Sequence, residues 1–549
     1  MKTIKVTCIF IALLIIFISC SQEKRHTDKA IFKYNESSGI TSLDPAFAKD
    51  QSNIWACNHL FNRLIELDDS LNIKPSIAYR WDILDSGRVY KFYLRQDVFF
   101  HKHILFGKDS TRKVIAKDFV FSFNRLLEEK TASPGAWVFS MIKYDKINKK
   151  YDFIAENDTT LIIKLKETFP PFLSLLSMHY CSVVPYEIVQ YYQKDFRNNP
   201  IGTGPFEFKF WKENEKLILL KNEKYFEKIN NIRLPFIDAI NITFITDKHT
   251  AFLEFIKGNL DFISGIDPSY KDELLSKDGQ LNKKYVNKIY LTSSPYLNTE
   301  YLGILSDTNN PILKNNPLKL KKIRQAINYG FDRDKMIKYL RNGIGIAGIY
   351  GFVPIGLYGS NKANIVGYKY DPNKAKELLQ EAGYYKLSTQ ENLITIATTS
   401  SYIDLCKFIQ SQLNEIGMNV KIELTQPATL RELMSKTKVS FFRGSWIADY
   451  PDPENYLSLF YSKNFCPFGP NYTHFKNNNY DKLYDISRKE IDFEKRIILY
   501  KEMDEIIIEE APVVVLYYDE VLRFVNKNIE NLGSNPLNLL NLKSVRKRM

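Results

Sequence analysis

Two hydrophobic rhythms alternate along this chain from end to end. Leu161, Ile163 and Leu165 alternate with Lys164 and Lys166, the period-two pattern of a half-buried strand. Residues 89–95 follow an Asp85-Ser86-Gly87 turn and predict a second strand. Val420, Ile422 and Leu424 predict a third. Between such stretches the period changes. Ala375, Leu378, Leu379 and Ala382 fall on one helical face, with Asp371 placed to cap, Pro372 at the first turn and Gly383 at the close. Leu405, Phe408, Ile409, Leu413 and Ile416 form a second apolar stripe, ended by Gly417. A charged helix is predicted over 494–509. It stops at Ala511-Pro512, and residues 513–517 then predict a buried strand. Helix–glycine–strand units of this kind build an α/β architecture.

The start of the chain sets the compartment. Lys2 and Lys5 precede an apolar run over residues 6–18, which is shorter than the roughly 20 apolar residues a membrane-spanning helix needs. A basic start and a short apolar core predict a secretory signal. Phe17-Ile18-Ser19-Cys20 resembles a bacterial lipobox, which makes Cys20 the predicted site of lipidation, although leucine is more usual where Phe17 stands. Residues 22–30 are polar and charged and read as a tether to the membrane surface.

Composition narrows the rest. A chain of 549 residues exceeds what one hydrophobic core supports, so two or more lobes are expected. The net charge of +13 raises the question of nucleic acid, but the 76 basic and 63 acidic residues are interspersed. No long basic block appears before the terminal Lys543-Ser-Val-Arg-Lys-Arg548, so no nucleic-acid partner is expected. Aromatic residues make up 14%, enough to furnish both cores and a ligand cleft. Of six cysteines, Cys57, Cys181, Cys406 and Cys466 remain after Cys8 and Cys20; they are far apart and form no disulfide framework, although an oxidising compartment leaves one bridge open to them.

Catalytic and metal motifs are absent as contexts. Gly343-Ile-Gly345-Ile-Ala-Gly348 matches a dinucleotide fingerprint by letter, but it follows a predicted helix instead of a strand, so it reads as a tight loop. His101 and His103 lack a completing ligand and predict a surface turn, not a metal site. Asp449, Asp452 and Glu454, interleaved with Pro451 and Pro453, predict a rigid turn presenting one or two carboxylates. No cofactor, metal or enzyme activity is expected.

An ordered set of motifs carries a resemblance. Ser42-Leu-Asp-Pro45, Leu60-Phe-Asn-Arg-Leu64, Pro75-Ser-Ile-Ala78, Tyr90-Lys-Phe-Tyr-Leu-Arg95 and Ala116-Lys-Asp-Phe-Val120 come first. Gly202-Thr-Gly-Pro-Phe206, Asn222-Glu-Lys-Tyr-Phe226 and Gly258-Asn-Leu-Asp261 follow. Ile323-Arg-Gln-Ala326 with Asp332-Arg333, Ala448-Asp-Tyr-Pro-Asp-Pro453 and Ala511-Pro-Val-Val-Val-Leu-Tyr517 complete the set. In this order they resemble family 5 of the bacterial extracellular solute-binding proteins, which includes the oligopeptide- and dipeptide-binding components of ABC transporters. The resemblance implies an α/β, type II periplasmic-binding fold: two lobes around a ligand cleft, the first lobe carrying an extra domain. It divides the chain into a signal peptide (1–19), a lipidated tether (20–30), lobe 1 (31–59, 201–297 and 513–549), an extra domain (60–200) and lobe 2 (298–512).

It also implies a function, the capture of short peptides by a monomer anchored outside the cytoplasm and their delivery to permease subunits. Nickel chelates, haem or sugars are the alternative ligands, and a secreted hydrolase the remote alternative function. Burying a zwitterion requires a carboxylate for the ammonium and a cation for the carboxylate. By resemblance Asp449 receives the α-ammonium, and Arg443 or Arg341 the C-terminal carboxylate. Ser445, Trp446 and Ile447 supply a backbone edge and an aromatic wall, opposite Ala48, Lys49, Asp50 and Gln51. Two departures stand out: a family tyrosine falls at Gly135, where Trp137 is the expected substitute, and a family acid falls at Lys49.

Overall fold

Strand β1 (Ile31–Asn35) and helices α1 (Gln51–Leu60) and α2 (Ala116–Leu127) come first in a computed structural model that describes residues 29–358 and 365–548. The signal segment and Cys20 lie outside the described residues. Strands β2 (Phe206–Lys212), β3 (Lys216–Lys221), β4 (Ala239–Thr243), β5 (Phe262–Ser264) and β6 (Ile289–Ile304) follow. Next come α3 (Arg333–Leu340), α4 (Pro372–Glu381), β7 (Leu393–Thr398), α5 (Ile403–Glu415) and β8 (Asn419–Leu424). The chain ends through β9 (Phe441–Ile447), α6 (Phe493–Glu510) and β10 (Val513–Asn526).

One 11-stranded sheet runs through both lobes in the order β2-β3-β4-β1-β5-β10-β6-β9-β7-β8, with the short segment Ile346–Ala347 laid on β10. The two long central strands join the lobes. Residues 289–295 of β6 pair with β10 in lobe 1, and residues 299–303 pair with it in lobe 2. The register breaks between Pro295 and Thr299, where proline removes a ladder donor and lets the ribbon bend. The lobes therefore meet at a locally irregular pair of strands, the kind of place where closure is absorbed.

Each lobe packs its own core. Phe32, Trp55, Leu60, Phe206 and Ile240 fill lobe 1, and Leu302, Ile323, Leu379, Ile409 and Leu516 fill one layer of lobe 2. A separate four-stranded sheet (Ala78–Leu84, Val89–Leu94, Thr160–Lys164, Phe153–Asn157) packs with α2 around Phe92, Phe119 and Phe123. A buried ion pair ties this layer to lobe 1. Arg125 of α2 donates to both carboxylate oxygens of Asp44, whose Oδ1 also caps Ala46 N–H at 3.0 Å. Gly202 and Gly204 lie so close to the Leu60 backbone that a Cβ at either would overlap it, which explains glycine at both positions.

Most local expectations match the structure. Asp371 caps α4 through Lys374 N–H at 2.9 Å, and Gly383 and Gly417 adopt positive φ after their helices. The glycine-rich loop is a tight turn with φ of 77° at Gly343 and 101° at Gly345. His101 departs from expectation. It is buried, accepting Gly202 N–H at Nδ1 (3.3 Å) and donating Nε2–H to Gly204 carbonyl (3.0 Å), so it belongs to the core beneath the glycine motif. The four later cysteines are all free and buried. Among the described residues no helix is long and apolar enough to cross a membrane.

Candidate ligand cleft

A cavity of about 1240 Å³ lies between the lobes. Lobe 1 contributes Glu36, Asp50, Gln51 and Trp55, the crossing strands contribute Tyr296, Tyr517 and Asp519, and lobe 2 contributes Arg341, Tyr402 and Asp404. Asp50 and Gln51 thus face the cleft as the first residues of α1, where Asp50 caps the helix through Asn53 N–H at 3.2 Å. Ala48 is fully buried and Lys49 is exposed, and neither lines the cavity.

Arg443 and Arg341 meet in one polar cluster. Arg443 pairs with Glu300, and its guanidinium carbon sits 3.4 Å from the centroid of the Tyr402 ring. Arg341 pairs with Asp519, donates to Tyr517 Oη at 2.9 Å and packs over the Tyr517 ring at 4.1 Å. Asn298 bridges the two acids, donating to Glu300 at 3.1 Å and Asp519 at 3.5 Å. Burial opposes the charge on both arginines and on Glu300. The opposite charges win for the arginines, whose pKa values are held above the usual value, whereas burial keeps Glu300 above the usual carboxylate range despite Arg443. Arg443 Nε is a buried donor without a partner, so the guanidinium retains unused hydrogen-bonding capacity.

Asp449 lies just past the end of β9 and has no cationic partner among the described residues. Its backbone N–H donates to Asn455 Oδ1 at 3.2 Å, and the same oxygen accepts Trp446 Nε1–H at 2.8 Å. Asn455 therefore fixes both the indole and the turn carrying the carboxylate. Water reaches Asp449, yet the surrounding walls push its pKa up to about 6 through desolvation, with Asn455 only partly opposing this. Asp449 is not part of the cavity lining, but Tyr180 feels the charges of both Asp449 and the lining residue Asp50, which sets the two carboxylates on either side of one tyrosine. Ser445 and Trp446 are half-buried and Ile447 is exposed. One edge of residues 441–447 is occupied by β6, while on the other edge β7 pairs only at Phe442. The edge beyond Phe442 is open to another strand among the described residues.

The prolines hold the acidic turn so that its carboxylates separate by role. Asp452 and Glu454 are buried, Asp452 facing Arg496 at 3.7 Å and Glu454 accepting from Tyr450 and Tyr484. Asp449 alone of the three opens to water. Trp137 packs near Tyr450, with ring centroids 6.4 Å apart, and the space beside Gly135 is filled by Tyr180. Sequence reasoning missed Glu36, Tyr180, Tyr296, Glu300, Tyr402 and Asp519. Asp519 and Glu520 left a signal as two acids interrupting an apolar strand; Glu300 left none, because its nearness to Arg443 depends on the pairing of β6 with β9.

The family model for bacterial extracellular solute-binding proteins, family 5 (middle region), matches residues 72–465. The chain belongs to that family. Its members bind solutes outside the cytoplasm for transport, and the two-lobe type II fold is theirs. A heme-binding protein A from Haemophilus influenzae is 27% identical, covering 89% of this chain and 87% of its own. A dipeptide-binding protein from Escherichia coli is 24% identical, covering 87% of each. Among solved structures, a periplasmic binding protein from Helicobacter pylori in complex with the peptide STSA superposes with a TM-score of 0.76 at 26% identity, covering 94% of this chain and 98% of its own.

Proposed function

We propose that this family 5 protein captures short peptides in the inter-lobe cleft and delivers them to the permease subunits of an ABC transporter. The observation that carries this reading is Asp449: a carboxylate with no cation of its own, beside an open strand edge. An extended peptide adding to that edge brings its α-ammonium to the carboxylate, and main-chain bonding leaves side chains free to vary. The Arg443–Arg341 cluster would receive the other terminus, Arg443 with its unused Nε donor. The peptide-bound structural relative and the dipeptide-binding sequence relative support the same ligand class. Closure would turn about the crossing strands, with the extra domain over 60–200 and the first lobe boundary near 298; the return boundary, expected at 512 from the sequence, belongs near 519, because residues 513–518 pair with β6 and pack in the lobe 2 core.

Calorimetric titration of the ligand-stripped protein with short peptides tests this. Asp449→Ala should lose at least about 2 kcal/mol of affinity if a buried ammonium is paired there; unchanged affinity removes the assignment. The heme-binding relative gives the second reading its support. Native mass spectrometry of protein purified from cells separates the two, because haem and peptide differ in mass. Lipidation at Cys20 and membrane anchoring complete the proposal, and a Cys20→Ala variant that still partitions with membranes would refute the anchor.

A further inference from the structure

The charges lining the cleft do not balance. Every cation in the lining is already paired within the chain: Lys248 with Asp267 at 3.0 Å, Lys271 with Asp272 at 2.7 Å, and Arg341 with Asp519. Among the described residues, four carboxylates in the same lining have no cation. Glu36 follows β1, Asp50 caps α1, Asp404 lies in the first turn of α5, and Glu520 lies on β10. Glu520 accepts only from Ser293 Oγ and Gly345 N–H, and Asp50 from its own helix turn. Among the described residues, Glu36 has neither a hydrogen bond nor an ion pair to its side chain. Lys49, adjacent to Asp50 in sequence, is exposed outside the lining.

This excess is local, because the whole chain carries +13. A cleft of one sign with low-dielectric walls concentrates ions of the opposite sign. The carboxylates come from both lobes and from a crossing strand, so closure brings like charges toward one another unless a cation enters with the ligand. Burial, reinforced by the charge of Asp50, pushes the Glu36 pKa up to about 8, so in the empty cleft at neutral pH Glu36 is mostly the neutral acid and becomes a counter-charge when an entering cation draws it into the ionised form.

We infer that the cleft selects peptides carrying a cationic side chain, a lysine or arginine in addition to the α-ammonium, with Glu36, Asp50, Asp404 and Glu520 as its counter-charges. The inference rests on the peptide reading above and narrows it to a ligand class. The α-ammonium is assigned to Asp449 and the terminal carboxylate to the arginine cluster, so these four acids are left for a side chain. Arginine and lysine satisfy them differently, as a planar fork or a point charge, but share the charge that the cleft lacks.

The test is calorimetric titration of the ligand-stripped protein with three tripeptides of one frame, Ala-Lys-Ala, Ala-norleucine-Ala and Ala-Glu-Ala, at neutral pH. The lysine peptide should bind about tenfold more tightly than its uncharged isostere, and the glutamate peptide more weakly than both. The double variant Glu36→Gln with Glu520→Gln should reduce the lysine-to-norleucine ratio at least about threefold. If all three peptides bind alike, or the glutamate peptide binds best, the charge inference is overturned while the peptide reading stands. If none binds, the peptide reading fails and the inference with it.

Discussion

Arg443 and Glu300 form an ion pair diagonally across two neighbouring strands of lobe 2, behind Tyr402, whose ring lines the cleft. Their partners in register are Leu302 and Ser445, so the pair spans one diagonal step. Glu300 is only 3% exposed, and Arg443 is its ion-pair partner. A ligand carboxylate approaching Arg443 therefore meets a guanidinium already neutralised by the protein. Glu300→Gln keeps the shape and one hydrogen bond but removes the competing charge. It should tighten binding of peptides with a free C-terminal carboxylate and leave their C-terminal amides unaffected. It should also cost about 1–3 kcal/mol of stability, because Arg443 loses its counterion. Peptide titration and denaturant unfolding read the two effects separately.

Gly135 stands where relatives are expected to carry a tyrosine, and the Tyr180 ring takes the space. A Cβ at 135 would overlap the Tyr180 ring carbons. Gly135→Ala should destabilise by about 1–3 kcal/mol through overpacking. Combining it with Tyr180→Leu should recover part of that loss in a double-mutant cycle. Additive losses would show that Tyr180 does not fill this site.

Affinity should fall on acidification earlier than an ordinary aspartate would dictate. Asp449 titrates at about 6 in the free cleft, whereas an ordinary aspartate titrates near about 3.9. An ammonium binds the ionised form, so affinity is full above about 6 and declines as pH falls through that value. Asp449→Asn should bind weakly with a flatter profile between pH 7 and 5. A wild-type affinity constant across that window would remove Asp449 from the binding site.

Stability carries a different signature at His101. The folded imidazole is pushed down to about 4 by burial, with the Gly204 carbonyl partly opposing, while the unfolded one titrates near about 6.5. Between those values the unfolded chain binds a proton that the folded chain refuses. The stabilising contribution is therefore complete above about 6.5 and is lost as pH falls toward 4. His101→Leu removes that term. The stability lost by wild type between pH 7 and 5 should exceed the loss in the variant by about 2 kcal/mol, measured by urea unfolding at each pH.

Much of this protein was legible along the chain because its causes are local. Asp371-Pro372 and Gly383 mark a helix by capping and by left-handed backbone, and neither needs a distant partner. The apolar run after Pro512 marks a buried strand, although only the structure shows it continuing through Asp519 to Asn526. The Gly202 and Gly204 motif was visible as letters; its reason, the Leu60 backbone pressed against it, comes from a segment far away in sequence.

What the sequence determined by itself was the alternation of helices and strands, the family, and the candidate residues Asp449, Arg443 and Arg341. Tertiary structure decided their state. Strand pairing set Glu300 against Arg443, the end of α3 brought Arg341 to Asp519, and among the described residues Asp449 was left without a cation. Folding also gathered Glu36, Asp50, Asp404 and Glu520 around one cavity. Charge balance in a cleft is a property of groups brought together across hundreds of residues, and no periodicity along the chain encodes it.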